Sequence, residues 1–178
     1  MGATAQDPIH LLRHVRAIRS FRPDPLPDDV IADILEVARW TGSARNRQPW
    51  TFILIRNPAT LRRIGELGAP QTTHVGRAPA AIAVVMSRGG TEVDAYDEGR
   101  VVERILTAAA AHGLGSAIGW IRDDVRPAAH ELLGIPEPHR LRTVVSIGYP
   151  SAEGSRPKSA PGTARRPLDQ LVRDERFS

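Results

Sequence analysis

Apolar and polar positions divide the chain into helices at its start and alternating strands and helices after them. Asp7-Pro8 supplies a capping carboxylate and then proline at a first helical position. Ile9, Leu12 and Val15 follow at helical spacing, with Arg13 and Arg16 off the apolar stripe. Pro23, Pro25 and Pro27 predict a stiff, extended connector. A second helix is expected from Asp28 or Asp29 to Thr41-Gly42, burying Val30, Ile31, Ile34, Leu35 and Ala38. The unbroken apolar run 51–55 reads as a strand buried on both faces. Asn57-Pro58 opens a short helix carrying Leu61, Ile64 and Leu67, and 68–79 reads as irregular. A second buried strand is predicted over 80–86, ending in a turn at 87–90. The helix expected over about 96–112 is apolar over a wide arc, which implies a central element touched on several sides. A strand over 116–121, a helix over 126–133 closed by Gly134, and a strand over 141–147 complete the alternation. From 149 to 167 the chain is rich in Pro, Gly, Ser and cations, which describes an arm; Leu168, Leu171 and Val172 suit one further helical turn.

This order predicts an α+β or three-layer α/β domain. At 178 residues the chain fits one domain, 1–178, with an extended arm over 150–178. The absence of cysteine excludes disulfides, thiol nucleophiles and thiolate metal sites. No apolar run has the roughly 18 residues of a membrane span, and the first residues lack the basic start and apolar core of a signal peptide. A cytoplasmic protein with no membrane partner is expected. The isoelectric point of about 10.5 accompanies a net charge of only +4. Lys158 is the sole lysine, so the high value reflects late-titrating arginines. Those arginines are scattered and aromatics make up only 4%, so no nucleic-acid partner is expected.

Candidate chemistry centres on Trp40-Thr41-Gly42-Ser43-Ala44-Arg45-Asn46-Arg47-Gln48-Pro49-Trp50, between the second helix and the first strand. Pro49 fixes its own φ and biases Gln48 towards an extended backbone. Trp50 taken alone reads as a core residue. Arg16 and Arg19, three apart, would share a face if the first helix continues, and could fork a phosphate or a carboxylate. They read equally as a solvated basic turn at a helix C-terminus. His10 and His14 are spaced as a metal pair, but with no carboxylate at helical spacing no metal site is expected.

The string ending Asn46-x-Gln48-Pro49-Trp50 resembles the signature loop of the nitroreductase-like flavoproteins, usually Pro-Ser, a spacer, Asn, one residue, then Gln-Pro-Trp. The segment 15–21 resembles that family's first flavin-binding segment, Arg-Arg-Ser-x-Arg-x-Phe. Arg16, Arg19 and Phe21 match, while Val15 replaces the first arginine and Ala17 the serine. Gly113-Leu114-Gly115 and the strand after it are similar to the segment that lays main-chain N–H groups beside flavin N5 and O4. Gly119, Trp120 and Ile121 are the corresponding positions. The tail, 161–168, resembles a closing arm whose basic pair reaches the flavin phosphate; Arg165 fits one position and the other falls near Thr163. A further match to the family places Gln71 and His74 near its pyrimidine edge.

The resemblance runs from about residue 16 to 177 and implies a three-layer α/β/α sandwich around a mostly antiparallel sheet, its C-terminal arms exchanged in a homodimer. It implies FMN as cofactor, NADPH or NADH as electron donor, and hydride transfer through flavin N5 to a nitroaromatic, quinone or similar small acceptor. Arg16 and Arg165 would hold the phosphate and Arg19 would face N1 and O2. Ala17, Gln71, Gly119 and Trp120 would border the cofactor, with Ser43 and Asn46 reaching it from the neighbouring subunit. No acid–base triad is implied. Two alternatives stay open: a relative using a deazaflavin donor or fragmenting flavin, and a non-catalytic flavin-binding dimer. The short 68–79 stretch leaves little room for a helical cover, so an open, permissive site is expected.

Overall fold

The apolar runs become four strands, Trp50–Ile55 (β1), Ala80–Met86 (β2), Gly115–Trp120 (β3) and Arg140–Gly148 (β4). They form one antiparallel sheet in the order β1-β2-β4-β3. The computed structural model describes residues 7–87, 91–156 and 165–177. The helices are Pro8–His14 (α1), Asp28–Arg39 (α2), Pro58–Leu67 (α3), Glu92–Ala111 (α4), Arg126–Leu133 (α5) and the short Ala152–Ser155 (α6). Single 3-10 turns lie at Ala44–Asn46, Val75–Arg77 and Leu168–Gln170.

Side chains alternate across a strand, and β2 shows what that does here. Ala80, Ile82, Val84 and Met86 enter one core with Ile31 and Ile34 of α2 and Val101 and Ile105 of α4. Ala81, Ala83 and Val85 enter the other with Leu61 and Ile64 of α3 and Ala129 of α5. The result is an α/β/α sandwich, as expected. Asn57 caps α3 through its side chain, and Gly134 ends α5 in the left-handed conformation, φ 63°.

Three elements depart from the sequence pattern. β1 is an edge strand, and only Ile55 of it is fully buried; Leu54 is exposed. The apolar run was therefore no sign of burial on both faces. The first helix stops at His14, and 15–20 runs extended. Arg16 and Arg19 thus share no helical face. α4 begins at Glu92, a turn before the expected start, with Thr91 accepting from the Asp94 N–H as its cap. Its first half buries Asp94, Asp97 and Glu98, residues that a hydrophobic period cannot score. Of the turn expected at 87–90, residues 88–90 lie outside the described residues, as do 157–164 of the arm, including Thr163.

Candidate functional site

β3 borders solvent along one edge, and the extended 15–20 segment lies on the first part of it. The Ile18 N–H donates to the Ser116 carbonyl at 2.8 Å, and Ala17 pairs parallel with Ser116. Ile121 N–H donates to Arg142 on β4. Backbone groups alternate along a strand, so odd-numbered residues of β3 bond β4 while Ser116, Ile118 and Trp120 face the free edge. The Gly119 N–H is therefore turned inward and the Trp120 N–H outward, while Ile121 is already paired. Gly119 serves instead through its missing side chain: a Cβ there would sit 3.1 Å from Val75 Cγ2 and 3.2 Å from the Val144 carbonyl.

Beside the 16–21 segment is a cavity of about 170 Å³ lined by Arg16, Arg19, Ser20, Arg77, Glu153 and Gly154, among others. Arg16 donates to the carbonyls of Gly154 (3.1 Å) and Ser155 (2.9 Å), tying the segment to α6. Ser20 Oγ donates to Glu153 at 3.2 Å and lies 2.8 Å from Ser151 Oγ. Three guanidiniums face one carboxylate, a balance suited to an anion.

The turn 68–77 packs against β3 from inside. His74 is buried, with Nδ1 2.8 Å from Ser146 Oγ and Nε2 3.2 Å from the Ile118 carbonyl. Burial holds its imidazole below the ordinary range; the Ile118 carbonyl opposes that shift and the nearby Arg19 charge adds to it. His74 is therefore near enough to Arg19 to feel its charge, but it does not line the cavity. Gln71 instead accepts from Arg122 at 3.1 Å. Ala69, Pro70, Gln71, Thr73 and Arg77 of this turn are exposed.

The signature loop lies elsewhere. Register pairs Trp50 with Met86 and Met86 with Arg140, so the loop sits at the β1 edge, at the end of the sheet that holds Trp120. Arg45, Asn46 and Gln48 take φ of 53°, 54° and 48°, so the extended backbone expected at Gln48 is not adopted. Ser43 Oγ accepts from the Gln48 N–H at 2.8 Å and holds that conformation, while Asn46 Oδ1 accepts from the Gln48 amide at 3.3 Å. The buried Asp97 accepts from the Ala44 N–H with both oxygens at 3.2 Å. Strained backbone of this kind persists when its surroundings over-determine it. Trp50 packs on the core, as its plain reading held. Within one chain, then, Ser43 and Asn46 are not brought to Arg16 and Arg19.

Sequence reading missed a polar cluster beneath Trp120. Glu98 accepts from both Arg142 Nε and Nη2, and from Thr143 Oγ1 at 2.6 Å; the Arg142 guanidinium lies 5.4 Å from the Trp120 ring centre. Trp120 is 45% exposed and Ile118 41%, on the wall of a roughly 350 Å³ cavity against α4. The cluster of Asp94, Asp97 and Glu98 ahead of the apolar part of α4 was the one available signal. Arg165 lies on the exposed C-terminal segment. His10 and His14 stack ring on ring at 4.0 Å, and no metal-holding group occurs among the described residues.

A model of the Nitroreductase family matches residues 12–84. An Archaeoglobus fulgidus protein with the provisional name NADH dehydrogenase/NAD(P)H nitroreductase is 35% identical over 146 residues, covering 78% of this chain and 82% of its own. The NADH dehydrogenase of Thermus thermophilus is 29% identical over 196 aligned positions, covering 88% and 90%. Among solved structures, an FMN-dependent nitroreductase from Clostridium difficile superposes with a TM-score of 0.82 at 22% identity, covering 95% of this chain and 99% of that one. The sandwich agrees with the solved relative, and the 35% identity along most of both chains decides the matter: the chain belongs to the nitroreductase family of oxidoreductases.

Proposed function

We propose that this protein is an FMN-dependent NAD(P)H oxidoreductase that reduces a nitroaromatic, a quinone or a similar small acceptor. The observation that carries this reading is the layout of the β3 edge. An anion cavity with three guanidiniums lies beside its first residues, and an outward Trp120 N–H lies at its end. Ser116 and Trp120 are four residues apart, about 13 Å along a strand. That spacing suits an extended ligand with an anionic end and a planar, hydrogen-bonding end.

The residues fit the cofactor on these terms. FMN, when bound, accepts hydride from NAD(P)H and passes it on, which is chemistry no side chain supplies. Arg16 and Arg165 would hold its phosphate. Arg19 would place positive charge at the pyrimidine edge, where negative charge develops on reduction. His74, kept neutral by burial, holds the β3 edge in place through the Ile118 carbonyl. Trp120 would donate its N–H to the ring and present its indole at the acceptor site. The bare turn at 68–77 leaves that site open to varied acceptors.

The reading includes a homodimer. A groove of about 760 Å³ along α4 is lined by Leu12, Thr41 and Tyr96. Tyr96 is 75% exposed, and the buried Thr41 hydroxyl has no partner among the described residues. A second copy seated there would cover Tyr96.

The test is the visible absorption of the purified protein, before and after FMN and then NADPH or NADH are added without oxygen. A bound-flavin spectrum that bleaches with the nicotinamide supports the assignment. A colourless protein that takes up no FMN overturns it.

A further inference from the structure

We propose that Arg77 is a phosphate-binding residue of this chain and supplies the guanidinium that Val15 cannot. The proposal rests on the FMN reading and adds a residue to it. The 3-10 turn Val75–Arg77 follows the buried His74, and the Arg19 charge acts on that histidine. Residues 16–21 and Arg77 line one cavity, so the extended segment lies beside the turn that carries Arg77. Gly76 fixes the turn from behind: a Cβ added at Gly65 would lie 2.9 Å from the Gly76 Cα, so α3 and the turn are in direct backbone contact.

Arg77 lines the same cavity as Arg16 and Arg19. Arg16 spends Nη2 on two carbonyls of α6, whereas neither Arg19 nor Arg77 has an ion-pair partner among the described residues. Glu153, the one opposing carboxylate, accepts from Ser20. Two positive charges are left uncompensated in a space of about 170 Å³. A phosphate monoester carries about −1.5 to −2 near neutrality and offers three acceptor oxygens. Arg16 on the 16–21 segment and Arg77 on the turn both line the space it would occupy. A guanidinium from residue 77 thus stands in for one expected at residue 15.

Flavin fluorescence titrations with FMN and with riboflavin, which lacks the phosphate, test this on wild type, Arg77→Gln and Arg62→Gln. Arg62 lies on α3 beside the turn and lines a neighbouring cavity that Arg77 also borders, but not the one shared with Arg16 and Arg19. Arg77→Gln is expected to weaken FMN about tenfold or more, the usual scale of one charge-assisted hydrogen bond, and to leave riboflavin unchanged. Arg62→Gln should change neither. Equal FMN affinity in Arg77→Gln and wild type overturns the assignment, as does an equal loss of both flavins. A wild type that binds neither flavin overturns the FMN reading and this assignment with it.

Discussion

Replacing Arg142 with methionine removes one half of the Glu98–Arg142 pair and keeps the bulk of the stem. The Glu98 side chain is 5% exposed and that of Arg142 21%. The variant strands a buried carboxylate with one remaining donor, the Thr143 hydroxyl at 2.6 Å. Breaking a buried pair by removing one partner costs about 3–5 kcal/mol. Arg142 is partly solvated, so the lower end applies, about 3 kcal/mol. For a chain of this length each kcal/mol moves the midpoint by about 2–4 °C, which gives a loss of about 6–12 °C. Glu98→Gln keeps an acceptor for Thr143 and leaves the guanidinium where water reaches it, so about 1–2 kcal/mol is expected. The double variant Glu98→Leu/Arg142→Met has no charge left to strand and should recover most of the loss.

Thermal unfolding followed by circular dichroism reads all three. The order expected is wild type, then the double variant and Glu98→Gln, then Arg142→Met. If Arg142→Met lies within about 2 °C of wild type, or if the double variant melts no higher than Arg142→Met, the pair is not the buried unit described.

The remaining outcomes concern the turn, the loop and the edge segment. Burial depresses the His74 imidazole, so the unfolded chain binds protons more readily; the resulting stability is full above about pH 6.5 and is lost as the pH falls below it. His74→Gln should flatten stability against pH between about 7 and 5, leaving the slope from His130, which burial also depresses; parallel curves would refute this. Asp97→Ala should speed amide exchange at Ala44 by about 10- to 100-fold, the cost of a lost buried acceptor, without exposing β2. Unchanged exchange would mean the loop holds itself. In Gly115→Ala the new Cβ would lie 2.7 Å from Ile18 Cγ2, so the edge segment must shift. Trypsin should then cut after Arg16 or Arg19 several-fold faster, and an unchanged rate would count against that.

How much of this was legible in the sequence depends on whether local pattern or distant contact decides each feature. β2 was read with its bounds because its seven apolar residues have a helix layer on each side. β1 is equally apolar in sequence, but its place at the sheet edge is a property of strand order, which no local period encodes. The start of α4 was misplaced because its buried acids have partners on the signature loop and on β4. Proline after Gln48 argued for extended backbone, and a hydrogen bond to Ser43 outweighed it. Arg16 and Arg19 were legible as a pair, but the geometry that joins them is an extended strand partner, not a helix face. Arg77 was invisible, since only the packing of a turn 58 positions after Arg19 brings it to the cavity.

The separation of the two motifs also yields a prediction about assembly. Arg16 lies beside the first residues of β3, whereas Asn46 precedes β1 on the opposite edge, three strand spacings or about 14 Å across the sheet. They lie towards opposite ends as well, since Ala17 pairs at Ser116 while the loop leads into Trp50. If both touch one cofactor, they come from two copies in a two-fold dimer, and each site takes Arg16 from one chain and Asn46 from the other. Arg16→Ala and Asn46→Ala homodimers then each carry the same defect at both sites. In a mixed dimer the two defects fall at one site and the other is intact. Unfolding and refolding the two variants together should restore about a quarter of wild-type FMN sites, because half the dimers are mixed and each has one good site. Flavin absorbance per chain after gel filtration measures it. Recovery no greater than the average of the separate variants would mean that each site is built within one chain, and that the signature loop has another role.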